Sequence, residues 1–170
     1  RDVERSRGLG DVYKRQIVNH AFVKTISLTY KKMPFLRIAP ICNGKIYVAP
    51  RSYQGEEPGK LDIPMEDYIY ACKTDTDKYA KEVENKYSNH ITGQPEPRFS
   101  LKHLVKETNG VKKTIMLYIL PLNDEEQIHF TGGKFVTPEE IEMNSAQYSS
   151  FLKEEIDHLN IVTQMWEEFK

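Results

Sequence analysis

Carboxylates crowd several short stretches of this chain, of which Asp124-Glu125-Glu126 reads as a solvated loop. Glu66-Asp67 follows a short extended segment, and Glu82 with Glu84 lies in the run AKEVENKY, residues 80–87. Close-set carboxylates suit hard divalent cations such as magnesium, which take oxygen ligands, and they also suit general acid–base work. Arg51, Lys60 and Arg98 are cations of the kind that hold phosphate oxygens through charge-assisted hydrogen bonds. The histidines His20, His90, His103, His129 and His158 show no metal-ligand spacing and read as ordinary surface or hydrogen-bonded residues. Cys42 and Cys72 are too few for a disulfide framework or a cysteine-based zinc site. Cys42 has no basic neighbour or helix start to activate it, so it reads as a structural thiol.

Stepping these residues into place requires a folded domain, and the composition supplies one. The chain has 170 residues, 39% of them hydrophobic, with 24 Lys+Arg against 25 Asp+Glu and a mean hydropathy of −0.61. That apolar content excludes a disordered chain, and no apolar run approaches the roughly 20 residues of a membrane span. The near-neutral balance carries no electrostatic footprint for nucleic acid. With so few cysteines, the expected compartment is reducing, and cytoplasmic by default. Residues 6–16, SRGLGDVYKRQ, correspond codon by codon to a translated transposon-type sequencing adapter, so residues 1–16 are read as an adapter-derived artefact. Setting them aside removes five basic and three acidic residues, which leaves 19 positive and 22 negative charges, a net of −3. Residues 17–170 are expected to form a single domain with a C-terminal helical extension.

The elements follow from turn and cap chemistry. Phe35–Ile41 and Ile46–Ala49 are apolar runs joined through Asn43-Gly44, the pair favoured by a hairpin turn whose central residues both need positive φ. Residues 99–107 and 111–120 repeat this grammar around Asn109-Gly110. The core TIMLYIL of the second run is apolar on both faces and predicts a central strand. A helix is predicted from about Asp75, with Tyr79, Val83 and Tyr87 forming a core stripe. Thr137-Pro138-Glu139-Glu140 is a capping box that starts another helix, and helical periodicity returns from Phe151 to Phe169 after a serine-marked break.

The order FLRIAPICNGKIYVAPRS, GKLDIPMEDYI, AKEVENKY, a long hairpin and GGKFVTPEEI resembles a Nudix domain over residues 34–141. The resemblance implies an α/β fold, a Nudix-like mixed β-sheet flanked by α-helices as an α/β/α sandwich. In that family a signature box, G-x5-E-x7-R-E-U-x-E-E-x-G-U, supplies glutamates for magnesium that bridges a diphosphate. Here Lys81-Glu82-Val83 falls on R-E-U, Asn85 and Lys86 on the paired glutamates, Ser88 and Asp67 on glycines, and Lys73 on the first glutamate. Only Glu82 and Val83 match. The resemblance therefore makes Glu82 the candidate catalytic residue and metal ligand, although ion pairing with Lys78 and Lys86 on a solvated helix face explains it equally. Arg51, Lys60 and Arg98 flank the implied cleft as candidate ligand-binding residues.

Two functions follow from this pattern. In the first, the domain has lost classical metal-dependent hydrolysis and is a binding or regulatory module for a nucleotide or another small phosphate-containing molecule. In the second, it is a divalent-metal-dependent hydrolase of a nucleoside-diphosphate-linked substrate, drawing ligands from Glu66, Asp67, Glu82 or Glu84. No cofactor is assigned, and magnesium is implied only for the hydrolase. Neither nucleic acid nor a membrane is an expected partner, whereas a homodimer or a lost upstream domain is left open. Convergence of at least three carboxylates on one point is the geometric sign of the enzyme.

Overall fold

The computed structural model describes residues 35–68, 76–106 and 112–170. Segment 1–16, Cys72, Lys73 and the Asn109-Gly110 turn lie outside them. Strands β1 (Phe35–Cys42) and β2 (Lys45–Pro50) form the expected hairpin. Asn43 and Gly44 both have positive φ, 54° and 74°, as the favoured two-residue turn demands. Two short strands, β3 (Leu61–Asp62) and β4 (Met65–Tyr68), flank Pro64. Helix α1 (Thr76–Lys86) precedes β5 (Arg98–Lys106) and β6 (Lys112–Pro121). Strand β7 (Lys134–Val136), helix α2 (Pro138–Met143) and helix α3 (Ser150–Glu168) complete the chain.

The strands make one mixed sheet in the order β3-β2-β1-β6-β5, with β4 also pairing β1 and β7 also pairing β2. All eight residues of β1 are buried because the strand is enclosed on both edges and both faces. One edge pairs in parallel with β6 from Phe35 to Ile41. The other edge is divided, with β4 antiparallel along Phe35–Ile38 and β2 antiparallel at Ile41 and Cys42. Beyond that short contact β2 runs with β3 and β7 instead.

Strand alternation sends successive β1 side chains to opposite layers. Leu36 and Ile38 join Tyr118, Leu120, Ala80 and Val83 under α1. Ala39 and Ile41 join Leu117, Ile119, Leu152, Ile156 and Leu159 under α3. Helices thus cover both faces, which is the α/β/α sandwich. Tyr79, placed in the core stripe by periodicity, is only partly buried at the rim of the first layer. The α2 cap is the predicted box: Glu140 N–H donates to Thr137 Oγ1 at 3.1 Å and Thr137 N–H donates to Glu140 Oε1 at 3.0 Å. The serine-marked break is a short 3-10 turn, Ser145–Gln147, after which Ser149 caps α3 by accepting from Leu152 N–H. Among the described residues no helix is long and apolar enough to cross a membrane.

Gly133, just before β7, is the most closely approached glycine among the described residues. A Cβ there would lie 2.0 Å from Tyr47 Oη and 2.5 Å from Cζ. Tyr47 is buried and its hydroxyl accepts from Phe130 N–H at 2.8 Å, so the ring has little room to retreat. Gly133→Ala is expected to cost about 1–3 kcal/mol, the usual range for overpacking. Chemical denaturation measures it. A loss indistinguishable from zero would mean that Tyr47 swings aside freely.

Candidate functional site

An arginine stands inside the most enclosed strand. Arg37 on β1 is 0% exposed and points toward α3, where an unpaired charge would be prohibitive. Three carboxylates from separate elements meet it. Its Nη2 donates to Asp62 Oδ1 of β3 at 2.7 Å, its Nη1 to Glu66 Oε1 of β4 at 2.6 Å, and its Nε to Glu155 Oε2 of α3 at 2.9 Å. Glu155 in turn lies 3.0 Å from His103 Nε2 of β5. Arg51, just beyond β2, reaches Asp62 and sits 3.3 Å from Glu66. Burial alone would raise the carboxyl of Asp62, but the charge and hydrogen bonds of Arg37, helped by Arg51, hold it below its ordinary value. Glu66 shifts the other way: burial pushes its carboxyl up, and the neighbouring Asp62 charge adds to that push against the pull of Arg37 and Arg51.

Beside this cluster opens a cleft of about 470 Å³. Asp62, Glu66 and Arg51 form its charged floor. Its wall is aromatic, made by Tyr87 after α1, His90 and Phe130. The His90 and Phe130 rings stack with centroids 4.0 Å apart and 8° between planes. Tyr87 Oη donates to the Glu66 carbonyl at 3.1 Å, tying the end of α1 to β4, and burial pushes the Tyr87 hydroxyl pKa up. Such a volume, mostly apolar walls and a few convergent polar groups, is what small-molecule sites look like.

Of the residues singled out by sequence, Arg51 lines the cleft, whereas Lys60 and Arg98 do not. Lys60 donates to the Ala146 carbonyl, and Arg98 lies over the Trp166 ring at 5.4 Å. Glu82 is exposed on α1. Glu84 is buried, with Lys81 Nζ 2.8 Å from its Oε1 but without hydrogen-bond alignment. Cys42 is buried, and burial raises its thiol pKa, as befits a structural residue. Sequence reasoning passed over Arg37, Glu155 and the aromatic wall. A signal was present for the first two: an arginine alone in an apolar strand, and a glutamate four residues from both Phe151 and Leu159 on a core stripe, are buried only when paired.

No protein-family model and no curated protein sequence matches the chain. Solved structures do. A Nudix hydrolase of M. smegmatis, RenU, superposes with a TM-score of 0.55 at 10% identity, over 79% of this chain and 88% of that one. This chain has the Nudix fold. The C-terminal domain of mouse MUTYH, solved in complex with human PCNA, matches with a TM-score of 0.50 at 16% identity, over 81% of this chain and 88% of that one.

In this Nudix-fold domain two of the positions that the resemblance assigns to the box, Asp67 and Lys86, form an ion pair. Lys86, which the resemblance sets on a paired glutamate, donates to the carboxylate of Asp67, which it sets on the first box glycine. That hydrogen bond, ahead of the Asp67 charge, raises the Lys86 pKa and keeps an ammonium there. Among the described residues no group of three or more His, Cys, Asp or Glu is arranged to hold a metal. The carboxylates that do converge, Asp62, Glu66 and Glu155, meet on the guanidinium of Arg37. Magnesium does not fit either place: one is held by a lysine, the other by a buried arginine.

Proposed function

We propose that this domain binds a nucleotide-type small molecule in its cleft, as a binding or regulatory module that has lost classical metal-dependent hydrolysis. The Lys86–Asp67 ion pair carries this reading, because it puts a fixed cation where hydrolysis needs a mobile one. Arg51 is the cation that meets the ligand. Its Nε donates to the Glu56 carbonyl and its Nη1 to Asp62, so Nη2 is the donor left for a ligand oxygen among the described contacts. Lys60 and Arg98 are spent on Ala146 and Trp166.

The test combines calorimetric titration of nucleotides in chelator with an assay of phosphate and nucleoside monophosphate release in magnesium. The panel is nucleotide sugars, dinucleotides and nucleoside triphosphates. Binding without turnover is the expected result. Metal-dependent turnover that disappears in Glu82→Gln would overturn the reading and make Glu82 a working ligand. Turnover that survives that change would overturn it too, and would move the chemistry to Glu66, Asp67 or Glu84.

A further inference from the structure

Resting on the cleft-binding reading, we propose that Glu57 is a positioning residue for Arg51: it latches loop 51–60 to the start of α3 and so fixes the guanidinium at the cleft. The loop leaves β2 at Arg51 and enters β3 after Lys60. Its base is closed by the Arg51 N–H, which donates to the Lys60 carbonyl at 2.8 Å, and by the Gly59 N–H, which donates to the Arg51 carbonyl at 3.1 Å. Residues 52–56, 58 and 59 are exposed, and Glu57 is half-buried among them. Exposed backbone with so little buried surface opens readily unless something else ties it down. The Glu57 carboxylate is the tie. Its Oε1 accepts from the Ser150 N–H at 3.0 Å and its Oε2 from the Ser150 hydroxyl at 2.6 Å, across 93 residues of sequence. Ser150 is the first residue of α3, so its N–H is one of the donors that a helix start leaves without an intrahelical partner. The Ser149 side chain takes the Leu152 N–H, and Glu57 takes this second donor. The positive end of the helix also favours a carboxylate there. Lys60 adds a further tether by donating to the Ala146 carbonyl.

The backbone at Glu57 connects this latch to Arg51. Glu57 has a φ of 50°, in the left-handed region that glutamate rarely adopts, and Pro58 after it favours extended backbone with negative φ at the preceding residue. Strain of this kind persists only where the surroundings impose it. Here they are Ser150 on the side chain and Arg51 on the backbone. The angle φ is the rotation about the Glu57 N–Cα bond, and the Glu56 carbonyl belongs to the rigid peptide unit that ends at that nitrogen. With the carboxylate held on Ser150, this rotation decides where the Glu56 carbonyl points. It points at Arg51, whose Nε donates to it at 2.7 Å. A relaxed, negative φ would swing the carbonyl away and leave the guanidinium oriented by its hydrogen bond to Asp62 alone among the described hydrogen bonds. Ser52 and Gly55 of the same loop line the cleft with Arg51, so the latch fixes both the cation that meets the ligand and the rim beside it.

The experiment compares the full chain with Glu57→Gly, which permits the left-handed backbone but has no carboxylate. Three quantities are read: hydrogen exchange of residues 52–59, the Arg51 Nε–H resonance, identified by its loss in Arg51→Lys, and affinity for the same nucleotide panel in chelator. Exchange is expected to rise about tenfold as the loop opens. The Arg51 resonance is expected to shift or broaden. Affinity is expected to fall about tenfold, the factor that one hydrogen bond to a charged group supplies, while the melting temperature stays within about 2 °C. Because Glu57 acts through Arg51, Glu57→Gly should weaken binding no further in an Arg51→Lys background. Equal weakening in both backgrounds is the mark of a merely structural role and would overturn the proposal. Unchanged exchange and an unmoved Arg51 resonance would overturn it as well. If Glu57→Gly fails to fold, Ser150→Ala, which removes the hydroxyl donor of the latch, is read in its place. If folded protein binds none of the panel, the cleft-binding reading falls, and the exchange and the Arg51 resonance decide whether the latch stands.

Discussion

Arg37→Met is expected to destabilise the domain by at least about 3–5 kcal/mol, the range for removing one partner of a buried ion pair. The side chain is of similar size, so little of that loss is packing. Asp62 and Glu155 would be left as buried carboxylates and Glu66 as a half-buried one, all with fewer donors, Arg51 and His103 being the nearest that remain. Urea unfolding at neutral pH measures the cost. A loss below about 1 kcal/mol would show that the carboxylates hydrate or rearrange without the arginine. Acid supplies an internal check. In the unmodified protein Asp62 is held below its ordinary pKa, so the stability it contributes is present above the usual carboxylate range and is lost as pH falls through its folded-state value. In the variant, burial without Arg37 would raise the same carboxyl, and its protonation would favour the fold. The gap between the two proteins is therefore expected to narrow as the pH falls. Replacing Arg37, Asp62 and Glu155 together by apolar residues should recover much of the loss, since what costs most is the unpaired charge.

Leu117→Ala is expected to cost about 2–5 kcal/mol and to lower the melting temperature by several degrees. Leu117 is fully buried on β6, between β1, where it registers with Arg37, and β5, where it registers with Leu101. Its side chain packs in the layer under α3. No neighbour can close the space without moving a strand that is paired on both edges. Leu104, on the outer strand β5, is the control: it is 57% exposed, and Leu104→Ala should stay within about ±0.5 kcal/mol. Equal costs at the two positions would mean that β6 is not the enclosed strand.

Local chemistry in the sequence settled the elements whose cause is local. The Asn43-Gly44 turn, the Thr137–Glu140 cap and the apolar run of β6 each depend on residues a few positions apart, and each stands where it was expected. The departure from the Nudix box at Asn85 and Lys86 is a statement about residue types under the resemblance, and it belongs to the sequence alone. Tertiary structure alone decided the site. Arg37 and Glu155 are 118 residues apart, and Arg37 and Asp62 are 25 apart; no periodicity connects them. They meet because β3 pairs β2 and β4 pairs β1 on the edge away from β6, while α3 folds back over that face. The choice that Lys60 and Arg98 face Ala146 and Trp166, while Arg51 faces the cleft, is likewise made by packing. A charge is placed by which partner can desolvate with it, and that partner is known only when distant segments are brought together.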